Sequence, residues 1–132
     1  MPAPANMKIL LLEDMDSIRQ QMVSDLRALG FSGEIHEAPD LKTAVSFCKD
    51  KEFQFIISDW NLPDGTGFDF LVKIKKVAKL AKLPFLMCTT MDEVENMIKA
   101  IHEGANEYVV KPWQKEELGQ KINFAWDAVN GS

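Results

Sequence analysis

Five short runs of strand-type residues alternate with five stretches of helical periodicity, and this order constrains the fold more than any other feature. The strand-type runs are Met7 to Leu12, Glu34 to Ala38, Phe53 to Ser58, Pro84 to Cys88 and Glu107 to Val110. Most are almost continuously apolar, as strands covered on both faces are. Glu34-Ile35-His36-Glu37-Ala38 alternates polar and apolar residues, so it reads as a half-exposed edge strand. Helical spacing appears in Ile18, Met22, Leu26 and Leu29, with Asp16 or Ser17 as the cap and Gly30 as the stop. A second helix is capped by Asp40, with Leu41, Ala44, Val45 and Cys48 inward. A third follows Gly67, with Phe68, Leu71, Ile74 and Val77 or Ala78 inward and Lys73, Lys75, Lys76 and Lys79 on its solvated face. A fourth is capped by Asp92, carries Val94, Met97, Ile98 and Ile101 on one face and closes at Gly104. The last runs from about Gln114 to Val129, with Leu118, Ile122, Ala125 and Val129 in a stripe. Strict alternation predicts an α/β, doubly wound (βα)5 fold: a parallel sheet with helices on both faces. The 132 residues suit a single domain over 1–132, with a core of about 7–129 and Met1 to Asn6 as a loose tail.

In a parallel sheet every strand ends at the same rim. Glu13-Asp14, Asp59, Thr89 and Lys111 each directly follow a strand-type run, so four strands bring them together there. Three carboxylates in one place repel one another and call for a cation. Oxygen ligands without thiolate or imidazole suit Mg2+. An Asp carboxylate is also a nucleophile towards phosphorus, giving an acyl phosphate. Lys111 then serves as counter-ion or as a point charge for a phosphoryl oxygen, and the Thr89 hydroxyl as a hydrogen-bond donor.

Composition removes other classes. A net charge of −5 argues against a nucleic-acid surface. No apolar run approaches the roughly 20 residues that a membrane helix needs. Met1 to Asn6 lacks the regions of a signal peptide. Cys48 and Cys88 have no metal-type spacing and read as reduced thiols in or near the core of a cytoplasmic protein. His36 and His102 read as surface or half-buried side chains.

Over about residues 7–129 the chain resembles the receiver domain of two-component response regulators. The resemblance rests on Glu13-Asp14, on Ser58-Asp59-Trp60-Asn61-Leu62-Pro63-Asp64-Gly65, on Thr89 and on Tyr108-Val109-Val110-Lys111-Pro112. The likeness is greatest to the single-domain chemotaxis members. It implies a flavodoxin-like sheet of order 2-1-3-4-5, as the family has. It implies that Asp59 takes a phosphoryl group from a histidine kinase (CheA-like) or a small donor such as acetyl phosphate. Asp14, Asp59 and the backbone carbonyl of Asn61 would ligate Mg2+, with Glu13 helping through water. Thr89 and Tyr108 would act as switch residues, and the helix 4–strand 5–helix 5 face would change its affinity for an output protein such as a flagellar motor switch protein or a phosphatase. The family pattern also implies a cis Lys111-Pro112 bond, a monomer, and no substrate turnover of its own beyond self-catalysed phosphorylation and slow autodephosphorylation. Asn61 and Met91 occupy positions that tune that dephosphorylation, and the apolar Met91 is expected to hinder attacking water. Trp60 and Met15 are placed at the pocket mouth. Thr90, in place of a small residue, would tighten access, and Glu13 replaces the commoner Asp. Val94 stands where motor-binding relatives often carry a basic residue. A phosphorelay intermediate and a receiver cut from a longer regulator are the alternative readings. A haloacid-dehalogenase-like phosphatase is the enzyme alternative, but Asn61 stands where its second acid is needed.

Overall fold

The computed structural model describes residues 3–93 and 95–131. Val94 therefore lies outside the described residues, as do Met1, Pro2 and Ser132. The chain runs β1 (Ile9–Leu12), α1 (Asp16–Ala28), β2 (Ile35–Ala38), α2 (Leu41–Asp50), β3 (Phe55–Asp59), β4 (Asn61–Leu62), β5 (Gly65–Thr66), α3 (Gly67–Ile74), α4 (Ala78–Ala81), β6 (Phe85–Thr90), a 3-10 turn (Met91–Glu93), α5 (Glu95–Glu103), β7 (Glu107–Lys111) and α6 (Lys115–Asn130).

Five strands form one sheet in the order β2-β1-β3-β6-β7, and every neighbouring pair is parallel. With the two-residue strands β4 and β5 set aside, this is the expected order 2-1-3-4-5. Residues alternate between the sheet's two faces along each strand. Leu10, Leu12, Ile56, Phe85 and Met87 pack under α2, α3, α4 and α5, while Ile9, Leu11, Ile57, Leu86 and Val109 pack under α1 and α6. The central strands β1 and β3 are buried at every position, which explains their unbroken apolar runs.

Helix ends follow local chemistry. The Asp40 carboxylate accepts from the Thr43 amide at 2.7 Å and caps α2. Thr66 and Asp69 form a reciprocal capping box at α3. Gly30 and Gly104 close α1 and α5 with φ of +99° and +119°, a region that side-chain-bearing residues avoid. At α1 the expected cap is not the one used. Met15 stands at the N-cap with no side-chain bond, and Asp16 sits inside the first turn, where it meets the helix dipole and Arg19 at 2.6 Å.

Several other expectations are corrected. The third helical stretch breaks into α3 and α4. Leu80 fills the core there, with Val77 and Ala78 exposed, and Phe70 joins Leu71 and Ile74 inward. Lys75 is no solvated side chain: its ammonium donates to the Ala81 carbonyl at 2.8 Å, and burial lowers its pKa. On α5 the buried residues are Met97 and Ala100, whereas Ile98 and Ile101 are 78% and 47% exposed. Asp92 lies in the 3-10 turn before α5 and accepts from the Thr90 hydroxyl. The described part of the N-terminal tail is strapped down: the Ala3 amide donates to Asn123 at 2.9 Å, and the Ala5 carbonyl accepts from the Ser32 amide at 2.7 Å. Both cysteines are reduced and buried, His36 is half-buried against Phe47 and Phe53, and His102 is exposed.

Candidate functional site

The site is built at the carboxyl ends of β1, β3, β6 and β7. Register places Asp59 beside Cys88 on the neighbouring strand, and Thr90 beside Lys111 on the next. Glu13 follows β1 directly, and its amide is held by the Ala38 carbonyl at 3.0 Å. The loop after Asp59 turns back as the β4–β5 hairpin, closed by a bond from the Gly67 amide to the Trp60 carbonyl at 2.7 Å. A Cβ at Gly67 would collide with the Asp59 carbonyl oxygen, so only glycine lets α3 start this close to the site. Lys111-Pro112 is cis.

A shallow cleft of about 370 Å³ opens at this rim, and Asp14, Asp59, Asn61, Thr90 and Lys111 line it. Carboxylate oxygens of Glu13, Asp14 and Asp59 lie within 4.8 Å of one another. Glu13 and Asp59 are buried, 3% and 6% exposed, while Asp14 faces solvent. The Lys111 ammonium lies between the two buried acids, 2.8 Å from Glu13 Oε1 and 2.9 Å from Asp59 Oδ1. Burial lowers the affinity of Lys111 for its proton, but the hydrogen bonds to Glu13 and Asp59 and the charge of Asp59 outweigh it, and its pKa is raised. Burial also raises the pKa of Glu13, with the Asp59 charge adding to it and the Lys111 bond opposing it. Cys88, deep behind Asp59, is pushed up by burial to about 12 and so stays a neutral thiol.

The carboxylates expected at the rim, Glu13, Asp14 and Asp59, are brought together with Lys111. Glu13 is the most committed of them: its second oxygen accepts from the Met15 amide at 3.1 Å. Met15 lines the cleft as expected and is 54% exposed. Thr89 is fully buried beneath the rim, and its hydroxyl donates to the Thr90 carbonyl at 3.4 Å. Thr90, not Thr89, faces the cleft. Trp60 does not line it either; the indole is buried against Phe68, with ring centroids 5.7 Å apart. Met91 stands 73% exposed on the turn beyond β6. Tyr108 is half-buried on edge strand β7 and lies under the Lys121 ammonium, 5.1 Å from the ring centre.

Three contributors were not singled out in the sequence. Arg19 donates to the Glu13 carbonyl at 2.8 Å and also pairs with Glu37 at 3.0 Å, which ties α1 to the acidic loop. The Ser58 hydroxyl donates to the Asp59 carbonyl at 2.9 Å. Glu93 accepts from the Asn61 side chain at 3.2 Å. Only Ser58 carried a sequence signal, as the polar residue that closes the run Phe53 to Ser58 directly before Asp59.

Comparison with known proteins identifies the family and the fold. Residues 9–123 match the family model described as the response regulator receiver domain. The chain is 38% identical over 125 residues to the chemotaxis protein CheY of Pseudomonas aeruginosa, covering 95% of this chain and all of that one. It is 38% identical over 118 residues to the chemotaxis protein CheY-3 of Vibrio cholerae, covering 89% of this chain and 90% of that one. The solved structure of the chemotaxis response regulator CheY4 of Vibrio cholerae superposes with a TM-score of 0.81 at 31% identity, over 91% of this chain and 98% of that one. With this match across nearly its whole length, the chain belongs to the response regulator receiver domain family.

Proposed function

We propose that this receiver accepts a phosphoryl group on Asp59 from a histidine kinase, or from a small donor such as acetyl phosphate, and signals through a change in its α5–β7–α6 face. The observation that carries the reading is the Lys111 ammonium between two buried carboxylates, beside the exposed Asp14. In the transfer, a carboxylate oxygen of Asp59 forms the new P–O bond as the donor's P–N bond (or acyl P–O bond) breaks, and the donor leaves with the electron pair. Lys111 holds the Asp59 carboxylate before reaction and is close enough to meet a phosphoryl oxygen afterwards. The all-oxygen donor set of Glu13, Asp14 and Asp59 fits Mg2+, and the Asn61 backbone carbonyl would complete it. Bound there, Mg2+ would supply positive charge to neutralise the transferring phosphoryl group. Asn61 stands at the cleft where a haloacid-dehalogenase-like phosphatase needs its second acid, which favours a switch over an enzyme with turnover.

Thr89 would move from the Thr90 carbonyl towards the phosphoryl group, and Tyr108 would then leave Lys121. Ile98 and Ile101 on α5 and Phe124 on α6 are exposed on the two helices that flank β7, and they supply apolar area for a partner. The chemotaxis relatives favour control of a flagellar motor switch in the cytoplasm. No helix among the described residues is long and apolar enough to cross a membrane. The test is intact mass after incubation with acetyl phosphate and Mg2+. The parent gains one phosphoryl group and Asp59→Asn gains none; a parent that gains none refutes the reading.

A further inference from the structure

One carboxylate spans two segments at the edge of the cleft. Glu93, in the 3-10 turn after β6, is half-buried and uses both of its oxygens. Oε1 accepts from Asn61 Nδ2 at 3.2 Å, and Oε2 accepts from Asn96 Nδ2 at 2.9 Å. Asn61 lines the cleft with Asp59, two residues before it, whereas Asn96 lies in the first turn of α5. The Asn61 backbone is already fixed by its pairing with Thr66 in the hairpin. What Glu93 decides is therefore the direction of the Asn61 carboxamide.

We infer that Glu93 is a positioning residue that restrains Asn61 and thereby lengthens the life of the phosphorylated state. The inference rests on Asp59 being the phospho-acceptor. Hydrolysis of an aspartyl phosphate needs a water in line with the P–O bond, and a free carboxamide beside the phosphoryl group can hold that water through its donor and acceptor. In this chain one Asn61 amide hydrogen is committed to a carboxylate, a charge-assisted bond stronger than a neutral one. A carboxamide tied to the rim in this way is not free to swing over Asp59. The second bond, to Asn96, holds Glu93 itself in place, so the restraint does not depend on a freely rotating side chain.

The test compares the parent with Glu93→Ala, Glu93→Gln, Asn61→Ala and the double variant Asn61→Ala/Glu93→Ala. Each is phosphorylated with acetyl phosphate and Mg2+ and freed of donor by desalting, and loss of the phosphoryl mass is followed in time. Loss of this one solvent-exposed hydrogen bond translates into decay about three- to tenfold faster in Glu93→Ala. Glu93→Gln keeps an acceptor oxygen for Asn61 and stays within about twofold of the parent. In the Asn61→Ala background, removing Glu93 has no further effect on decay. A purely structural role would lower the melting temperature of Glu93→Ala and leave its decay unchanged. Decay equal to the parent, or an acceleration that persists without Asn61, overturns the inference while the acyl phosphate itself still forms. Absence of phosphoryl mass on every protein, parent included, overturns the acceptor reading and the role of Glu93 with it.

Discussion

Replacing Lys111 by Met, which keeps the stem but removes the charge, leaves two buried carboxylates facing each other. Their side chains are 4% and 8% exposed, and that of Lys111 is 13% exposed. Removing one partner of a fully buried pair costs about 3–5 kcal/mol; because this cleft is open on one side, we expect about 2–3 kcal/mol. With about 2 cal/mol/K of unfolding entropy per residue, a chain of this length loses roughly 7–11 °C in melting temperature. Scanning calorimetry in chelator-treated buffer measures it. Mg2+ and the ammonium neutralise the same carboxylates, so Mg2+ raises the melting temperature of Lys111→Met more than that of the parent; tenfold excess over Kd adds about 1.4 kcal/mol. The pH dependence has a definite sign. The folded pKa of Lys111 is raised, so its contribution is present through neutral pH and is lost only as pH rises through the folded value. The folded pKa of Glu13 is also raised, so its ionisation costs stability, a cost that disappears as pH falls through that value. The deficit of Lys111→Met therefore narrows in mild acid. A loss under about 3 °C, or an equal Mg2+ increment in both proteins, would refute the pairing argument.

Other outcomes follow from the same site. Met91→Glu replaces an apolar side chain next to the rim with a carboxylate that can hold water, and the phosphoryl mass decays faster than in the parent; decay no faster would sink the proposed role of Met91. Thr89→Ala still accepts a phosphoryl group, but beryllofluoride with Mg2+ no longer shifts the Tyr108 ring signals in NMR spectra; shifts equal to the parent's would contradict the switch. Gly67→Ala forces the start of α3 away from the Asp59 carbonyl and slows phosphorylation by acetyl phosphate; an unchanged rate would show that the loop yields freely. Cys88, at about 12, resists alkylation at neutral pH in the native state and reacts only on unfolding, as mass spectrometry with iodoacetamide reports.

The order of elements and the convergence of Glu13, Asp14, Asp59 and Lys111 were legible because strand polarity alone determines them. A parallel sheet sends every strand end to one rim, whatever the side chains between. The inward face of α5 was not legible. Ile98 and Ile101 are more apolar than Ala100, yet Ala100 is buried, so close packing and not hydrophobicity selected the face. The break between α3 and α4 was missed for a related reason: Leu80 extends the apolar pattern past a turn that carries no Gly or Pro. Apolar bulk suggested nothing about Trp60 beyond its neighbour Asp59, and it is the ring of Phe68 that draws it inward. Thr89 shows the limit at the site. Its position at the strand end was evident, but its hydroxyl direction is set by the neighbouring carbonyl of Thr90. Glu93 could not be found at all, because its two partners lie on separate segments.

The central claim is that Asp59, alone among the clustered carboxylates, becomes phosphorylated. Borohydride trapping tests it directly, since reduction of an acyl phosphate converts the aspartyl carboxyl to an alcohol and releases phosphate. After incubation with acetyl phosphate and Mg2+, then borohydride, peptide mass mapping is predicted to find the reduced side chain at position 59 and nowhere else. Reduction at Asp14 or Glu13, or at no position, would contradict the account.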